Sequence, residues 1–285
     1  MRIGTLRIDG SLRPVALEGD ELVELDAPSV KDLLAGGPAA YARALQNSPR
    51  RHPYQPSQLA PAVPNPGKIL CIGRNYADHA AETGHTVNPT PDVFMRAASS
   101  LLGPFDPVRV PRVSDSLDFE VELALVIGRG GRYLEESEAM SRVAGYAVFN
   151  DYSVRDFQHA GSQWIPGKNF DGTGPLGPFV VTADEVPDPG NLAISLTIVR
   201  PDGTEELMQS ADTSLLMHKL PRLVSYCSQF TTLEPGDVIA TGTPAGVGAG
   251  RTPKRWLVPG ETVISRVETV GELKNQVLEE AGPRA

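Results

Sequence analysis

Near its start the chain alternates short apolar stretches with turn residues, and this pattern predicts a small α+β unit. Three short strands are predicted at Ile3–Ile8, Pro14–Leu17 and Leu22–Leu25. Ser29 can cap a helix that begins at Val30 and ends at Gly36 and Gly37. A second short helix is predicted over 39–45.

Six prolines between Pro49 and Pro66 interrupt the hydrophobic pattern. A stretch of this composition is typical of a semi-rigid linker or of an extended crossing of the surface. We therefore expect a small N-terminal α+β domain over residues 1–60, a proline-rich linker to about 66, and a larger domain over 67–285.

The larger domain is expected to be mainly β, and the fold class of the whole chain α+β. Its apolar runs predict strands at Ile69–Ile72, Phe119–Ile127, Val143–Phe149, Phe179–Thr182, Ala193–Val199, Val238–Thr241 and Thr262–Val267. Leu215–Ser228 has apolar residues at helical spacing, although Pro221 must lie near the start of this helix or bend it. The 28 glycines and 26 prolines agree with a fold rich in turns.

Charge and composition narrow the classes of partner. The net charge of −9 disfavours nucleic acid, and the densest basic cluster (Arg251, Lys254 and Arg255) is too small to change that. No apolar run approaches the roughly 20 residues that span a bilayer, and the first residues lack the apolar core of a signal peptide. Two cysteines far apart, Cys71 and Cys227, favour buried free thiols and a reducing cytoplasm.

The most informative segment is the strand predicted around Asp118–Ile127, because its two faces differ. One face is apolar, and the other carries Asp118, Glu120 and Glu122 before continuing into Ala124 and Val126. Acids on a strand usually face solvent, but the apolar continuation predicts that this face is covered. Since the segment contains no lysine or arginine, a hard divalent cation is the simplest partner for these carboxylates.

A further acid, Asp151, follows the next predicted strand. It can cap the start of a helix, which is the ordinary role of aspartate at such a junction. It can equally present its carboxylate to a ligand, together with Glu120 and Glu122, in a three-acid site that leaves positions open for water or substrate.

His79 and Glu82 lie three residues apart, so they share a face if this stretch is helical. Such a pair can act as a general base in which the carboxylate orients the imidazole, although the spacing is also common by chance. Lys168 lies among glycines beside an aromatic residue, where it can bind a carboxylate or remain an exposed lysine.

The glycine-rich loop after Val238–Thr241 lacks the following helix that a dinucleotide fingerprint requires. Its backbone N–H groups and the Thr243 hydroxyl fit contact with an anionic substrate, and a purely structural tight turn fits as well.

Taken together, these segments resemble the fumarylacetoacetate hydrolase family, in particular its bacterial acylpyruvase-like and 2-hydroxyhepta-2,4-diene-1,7-dioate isomerase-like members. The resemblance covers about residues 67–270 and rests on Gly73–Glu82, Asp118–Ile127, Asn150–Gln158, Gly167–Asp171 with Gly174–Pro178, and Pro235–Gly248. It implies a mixed β-roll catalytic domain, a homodimer, and a bound Mg²⁺ or Mn²⁺.

The resemblance also implies roles for individual residues. It assigns the metal to Glu120, Glu122 and Asp151, in agreement with the strand pattern, and catalysis to the His79–Glu82 dyad and Lys168. The dyad would lie on a segment that closes over the substrate. The positions implied to bind the substrate are Arg74, Tyr76, Arg155, Gln158, Gly242 and Thr243.

One departure from the family pattern concerns Arg96 and Ala97, where many relatives carry Lys-Pro. Positive charge is retained, but arginine and lysine are not equivalent, so the departure bears on the shape of the substrate site near this point.

The expected reaction begins with a 2-oxo or 2,4-dioxo acid and proceeds through an enolate that a divalent cation stabilises. Hydrolytic C–C cleavage of an acylpyruvate is the first expectation. The alternatives are isomerisation or tautomerisation, as by 2-hydroxyhepta-2,4-diene-1,7-dioate isomerase, and decarboxylation of oxaloacetate. A non-catalytic metal- or ligand-binding protein on the same scaffold is the alternative from another class.

Overall fold

The computed structural model describes residues 1–47, 50–84 and 88–282. Its strands are β1 (Arg2–Ile8), β2 (Ser11–Glu18), β3 (Glu21–Glu24), β4 (Arg51–Pro53), β5 (Ile69–Gly73), β6 (Asp92–Arg96), β7 (Leu101–Leu102), β8 (Val108–Val110), β9 (Leu117–Asp118), β10 (Val121–Ile127), β11 (Val143–Asn150), β12 (Ser153–Val154), β13 (Gly174–Thr182), β14 (Ala193–Val199), β15 (Glu205–Asp212), β16 (Val238–Ala240), β17 (Thr262–Val267) and β18 (Gly271–Glu279). Its α-helices are α1 (Val30–Ala35), α2 (Gly37–Gln46), α3 (Ala77–Glu82), α4 (Glu136–Ala139), α5 (Arg155–His159), α6 (Ile165–Lys168) and α7 (Leu220–Phe230).

Two mixed β-sheets dominate the described ranges, and the predicted fold class, α+β and mainly β, is confirmed. The larger sheet has eleven strands in the order β4-β3-β2-β1-β13-β11-β10-β16-β5-β6, with β7 paired to β13. The smaller has five strands in the order β15-β14-β17-β18-β8, and β9 and β12 form a separate pair.

Strand β10 lies inside the larger sheet and is buried on both faces. It pairs antiparallel with β11 and with β16. Leu123 and Leu125 belong to the main core, together with Leu196 and Val263 of the smaller sheet. The opposite face is also covered, as the apolar continuation of the acidic pattern predicted. Its residues Ala124 and Val126 belong to a second core cluster that includes Val30, Leu33 and Leu34 of α1.

The N-terminal unit has the predicted strands and helices. The Ser29 side chain accepts a hydrogen bond from the backbone N–H of Asp32 at the start of α1, and Gly36 ends this helix. Strand β1 pairs antiparallel with β13, with Ile3 opposite Val180, so this unit extends the larger sheet. The division of the chain into two domains near residues 60–66 stays a prediction.

The proline-rich segment is packed onto the sheet rather than spanning a gap. Pro49 lies outside the described residues, and β4 pairs with β3 directly after it. Further on, the N–H of Ala60 donates to Thr5, and the N–H of Ala62 donates to Leu176. The segment is therefore extended across the sheet, and its residues Leu59, Ala60, Ala62 and Val63 are buried rather than on the surface.

Several predicted boundaries were wrong. The strand predicted from Phe179 begins at Gly174. The helix predicted from Leu215 begins at Leu220, because Pro221 suits the first turn of a helix and the N–H of Met217 donates to Asn75 instead. The strand predicted from Phe119 begins at Val121, because the side chain of Asn150 accepts the N–H of Glu120.

Strands β4, β6, β7, β8, β9, β12, β15 and β18 were not predicted. Strands β15 and β18 consist mostly of polar residues, and the other six have at most five residues each, so none of them produces a strong pattern.

None of the helices in the described parts of the chain has the length and apolar character needed to cross a bilayer.

Candidate active site

Three acidic side chains meet where β10 and β11 lie side by side. Glu120 directly precedes β10, Glu122 lies on it, and Asp151 directly follows β11. All three side chains are buried, and one ligand oxygen from each lies within 4.8 Å of the others. Asp151 caps no helix, because α5 begins only at Arg155 with Val154 as its N-cap.

Backbone and side-chain hydrogen bonds hold the acids in this arrangement. The N–H of Asp151 donates to the carbonyl of Glu120 at 2.8 Å. The Asn150 side chain accepts the N–H of Glu120 at 2.9 Å and donates to Ser265 of the smaller sheet at 2.8 Å. The spacing between Glu120 and Asp151 is therefore fixed by the ends of two neighbouring strands.

Cations from distant parts of the chain pair with most of these acids. Lys168 Nζ lies 2.6 Å from Glu120 Oε2 and 2.6 Å from Asp151 Oδ2. Arg155 binds Glu120 at 2.6 Å and Asp118 at 2.7 Å, and Arg96 donates to Asp151. The sequence pattern gave no sign of these partners, because they lie 17 to 55 residues from the acids they bind.

Glu122 is the exception among these carboxylates. Its Oε2 accepts the N–H of Gly242 at 2.8 Å, and it forms no salt bridge with any residue that the structure describes. Burial, followed by repulsion from Asp151 and Glu120, raises the pKa of Glu122 well above its ordinary value of 4.5. Burial alone would also raise the pKa of Glu120, but Lys168 and Arg155 outweigh it and lower that pKa to about 2.

This donor set fits a hard divalent cation. Three carboxylates supply only oxygen ligands, which Mg²⁺ and Mn²⁺ prefer, and Glu122 requires either a proton or a cation to balance its charge.

His79 and Glu82 form the predicted pair on α3. His79 Nδ1 lies 2.8 Å from Glu82 Oε1, and His79 is 6% exposed, so the imidazole is held almost entirely inside the protein. The N–H of Gly246 donates to both oxygens of Glu82, at 3.1 and 2.9 Å. Gly246 has φ +108°, a conformation that favours glycine, so the glycine-rich loop is shaped to anchor Glu82.

One cavity of about 600 Å³ brings most of the predicted site residues together. Of the twelve, ten line it: Arg74, His79, Glu82, Glu120, Glu122, Asp151, Arg155, Gln158, Lys168 and Thr243. Its size lies within the range typical of small-molecule sites, about 300–1,000 Å³.

The other two predicted residues do not line this cavity. The Tyr76 side chain is buried, and its hydroxyl has no hydrogen-bond partner among the described residues. Gly242 contributes its N–H to Glu122 and, with φ +99°, needs the conformational freedom of glycine. The prediction that Tyr76 and Gly242 touch the substrate therefore has no support from the cavity.

Arg96 is buried and does not line the cavity either. Its guanidinium contacts Asp151, the carbonyl of Tyr152, Thr173 and Ser100. The departure from the family pattern therefore falls behind the acid site, where Arg96 supports Asp151.

The remaining nine lining residues were not predicted as site residues: Ile72, Gly73, Thr83, Phe94, His159, Ser162, Trp164, Ala249 and Lys254. Trp164 could have been suspected from its place just before Lys168. Lys254 belongs to the basic cluster noted in the sequence, but nothing in its local pattern connects it with the acids.

Comparisons with known proteins agree with this geometry. The family model described as the C-terminal domain of fumarylacetoacetate hydrolase matches residues 68–278. Oxaloacetate tautomerase FAHD2B of Bos taurus is 45% identical over 222 residues, which are 77% of this chain and 69% of that protein.

Solved structures of several relatives cover nearly the whole chain. The fumarylacetoacetate hydrolase of Exiguobacterium antarcticum is 33% identical, with a TM-score of 0.84 and coverage of 98% of this chain and 100% of that one. The 5-carboxymethyl-2-hydroxymuconate delta-isomerase of Mycobacterium smegmatis is 31% identical, with a TM-score of 0.80 and the same coverage.

Fold and site together define a mixed-sheet enzyme with a buried carboxylate centre. The chain belongs to the fumarylacetoacetate hydrolase family.

Proposed function

We propose that this protein is a divalent-metal-dependent enzyme that interconverts the keto and enol forms of a small 2-oxo acid. The observation that carries the proposal is the single cavity that His79 and Glu82 share with Glu120, Glu122 and Asp151. A molecule bound in this cavity would then face both the dyad, which can transfer a proton, and the three carboxylates, which can bind a metal ion. The similarity to an oxaloacetate tautomerase favours tautomerisation over the other reactions of oxo acids.

Glu120, Glu122 and Asp151 would hold the cation, which supplies a Lewis acid for the carboxylate and keto oxygens of the substrate. Lys168 touches both Glu120 and Asp151, so its ammonium would lie beside the substrate oxygens that develop negative charge when the substrate loses a proton. Burial opposes the charge of Lys168, but Asp151 and Glu120 outweigh it and raise its pKa, so the side chain stays cationic.

His79 would move the proton at the carbon next to the keto group. In the tautomer with a proton on His79 Nδ1, this N–H donates to Glu82 and leaves His79 Nε2 free to act as the base. The N–H of Gly246 holds Glu82 in place. In the reverse direction the protonated imidazole returns the proton to carbon.

The experiment that tests this proposal follows enol-oxaloacetate by the loss of its ultraviolet absorbance. We expect acceleration in Mg²⁺ or Mn²⁺ and a return to the uncatalysed rate in excess chelator. A rate that chelation leaves unchanged would contradict metal dependence. If the protein with metal present accelerates the reaction of none of the enols tested, the proposed tautomerase activity is contradicted.

Hydrolytic cleavage of an acylpyruvate is the second candidate. It is supported by the likeness to the fumarylacetoacetate hydrolase of Exiguobacterium antarcticum and by the dyad, which can activate a water molecule in place of a carbon acid. Nuclear magnetic resonance with acetylpyruvate distinguishes the two reactions. Hydrolysis releases acetate and pyruvate, whereas tautomerisation leaves the carbon skeleton intact.

The proposal also includes a homodimer and a cytoplasmic location. The dimer rests on the family resemblance. The location rests on Cys71 and Cys227, both of which are buried free thiols, as expected for a protein of a reducing compartment.

A further inference from the structure

The basic cluster of the sequence divides into residues with different surroundings. Arg255 pairs with Glu206 and Glu261. Arg251 donates to the carbonyls of Gly246 and Met208 and so supports the glycine-rich loop. Lys254 forms no salt bridge with any residue in the described ranges, its Nζ lies 5.6 Å from the centre of the Trp256 ring, and it lines the catalytic cavity.

The other lysine and arginine side chains of the cavity are already engaged. Arg74 pairs with Asp92, Arg155 with Asp118 and Glu120, and Lys168 with Glu120 and Asp151. Within the described lining of the cavity, Lys254 is the one such cation without a carboxylate partner. It is also exposed, whereas Lys168 and Arg155 are buried, so it lies toward the open side of the cavity.

We infer that Lys254 determines specificity by binding the distal carboxylate of a short 2-oxo dicarboxylic acid. This inference rests on the proposed function, since it assumes that the 2-oxo acid end of the ligand lies at Glu120, Glu122 and Asp151. The distal carboxylate then extends toward the loop that carries Thr243, Ala249 and Lys254. Trp256 beside Lys254 limits the positions that its ammonium can take.

The test compares oxaloacetate with 2-oxobutyrate, which has a methyl group in place of the distal carboxylate. Affinity for the Mg²⁺-loaded protein is measured by titration calorimetry, and turnover is measured separately. We expect Lys254→Met to weaken oxaloacetate binding about tenfold, the effect of losing one contact between charged groups. Binding of 2-oxobutyrate should stay within about twofold of the wild type.

Two variants serve as controls. Lys254→Arg keeps the charge and should restore most of the affinity for oxaloacetate. Lys274→Met removes an exposed lysine of β18 that does not line the cavity, and it should change neither affinity.

Several results would overturn the inference. Equal losses for the two acids in Lys254→Met would mean that the residue is only structural, and an unchanged affinity for oxaloacetate would exclude the contact. If the wild-type protein tautomerises enol-oxaloacetate and Lys254→Met does so equally well, only the inference fails. If the wild type neither binds nor converts either acid, the proposed function fails with it.

Discussion

Glu120 and Glu122 lie two residues apart, and their carboxyl groups have opposite electrostatic surroundings. Glu120 contacts Lys168 and Arg155, whereas Glu122 accepts one backbone N–H and faces two other acids. Removing one partner from a buried ion pair is costly, because the other charge remains buried. Removing an unpaired buried charge has the opposite effect.

We therefore expect Glu120→Gln and Glu122→Gln to change the stability of the metal-free protein in opposite directions. Glu120→Gln should lower the free energy of unfolding by about 3–5 kcal/mol, because Lys168 and Arg155 lose a partner. Glu122→Gln should raise the midpoint of thermal unfolding at pH 8, because it removes an unpaired buried carboxyl group. Calorimetry of the metal-free proteins measures both changes in stability.

The effect of Glu122→Gln should depend on pH. An unfolded Glu122 ionises near 4.5, whereas the folded one keeps its proton to a higher pH. Unfolding of the wild type is therefore favoured progressively as pH rises above 4.5, and the advantage of glutamine grows over the same interval. Added Mg²⁺ should make the wild type more stable than Glu122→Gln, because only the wild type binds the ion. If Mg²⁺ raises the thermal midpoint of Glu122→Gln as much as that of the wild type, the metal assignment is contradicted.

Arg96→Lys tests how the acid site is supported from behind. Lysine keeps the charge, but a single ammonium cannot reach Asp151, Tyr152, Thr173 and Ser100 together, so Asp151 loses its fixed orientation. We expect Mg²⁺ affinity to fall about 10- to 100-fold in a calorimetric titration. The control Arg266→Lys alters an exposed ion pair with Glu272 and should leave the Mg²⁺ affinity unchanged. An unaltered Mg²⁺ affinity in Arg96→Lys would contradict the supporting role of Arg96.

At the scale of elements, the site depends on a short helix and a loop that hold each other. Helix α3 carries His79 and Glu82, and the loop after β16 anchors Glu82 through Gly246. Residues 85–87, which follow α3 in the segment expected to close over the substrate, lie outside the described residues. That this segment moves stays a prediction.

His79→Ala should separate catalysis from metal binding. If His79 is the general base, its loss should lower kcat by about 10²–10⁴-fold, the usual effect of removing such a group. Affinity for Mg²⁺ should stay nearly unchanged, because the group of possible metal ligands contains Glu120, Glu122 and Asp151 but not His79.

His52→Ala is the matched control for this substitution. It removes another histidine–carboxylate pair, with Glu24, that lies outside the cavity, and kcat should remain that of the wild type. Full activity of His79→Ala would exclude the general base, and lost Mg²⁺ binding would make the histidine a ligand.

The elements also show which parts of the site a sequence can predict. Glu120 and Glu122 were found because strand alternation places them on one face, and His79 and Glu82 because helical spacing brings them together. The partners Arg155 and Lys168 were not connected with these acids, because the pairing depends on how distant elements pack. Local periodicity contains no information about such contacts.

For the whole molecule, we expect a homodimer. Strand β15 ends the smaller sheet, so its outer edge is unpaired within the described part of the chain. Leu207 on this strand is 63% exposed, and nearby Leu215 and Met217 are 55% and 50% exposed. Light scattering over a range of micromolar concentrations should give twice the mass of the 285-residue chain, and a monomer throughout would contradict this expectation.

The parallel pairing of β5 with β16 has a consequence for synthesis on the ribosome. Ile69 lies opposite Val238, so β5 emerges from the exit tunnel long before its neighbour has been translated. At the usual elongation rates the nascent strand waits roughly 10–30 s for β16. During that interval the apolar residues Ile69–Ile72 are without this neighbour, and apolar surface exposed in this way favours aggregation of the incomplete chain.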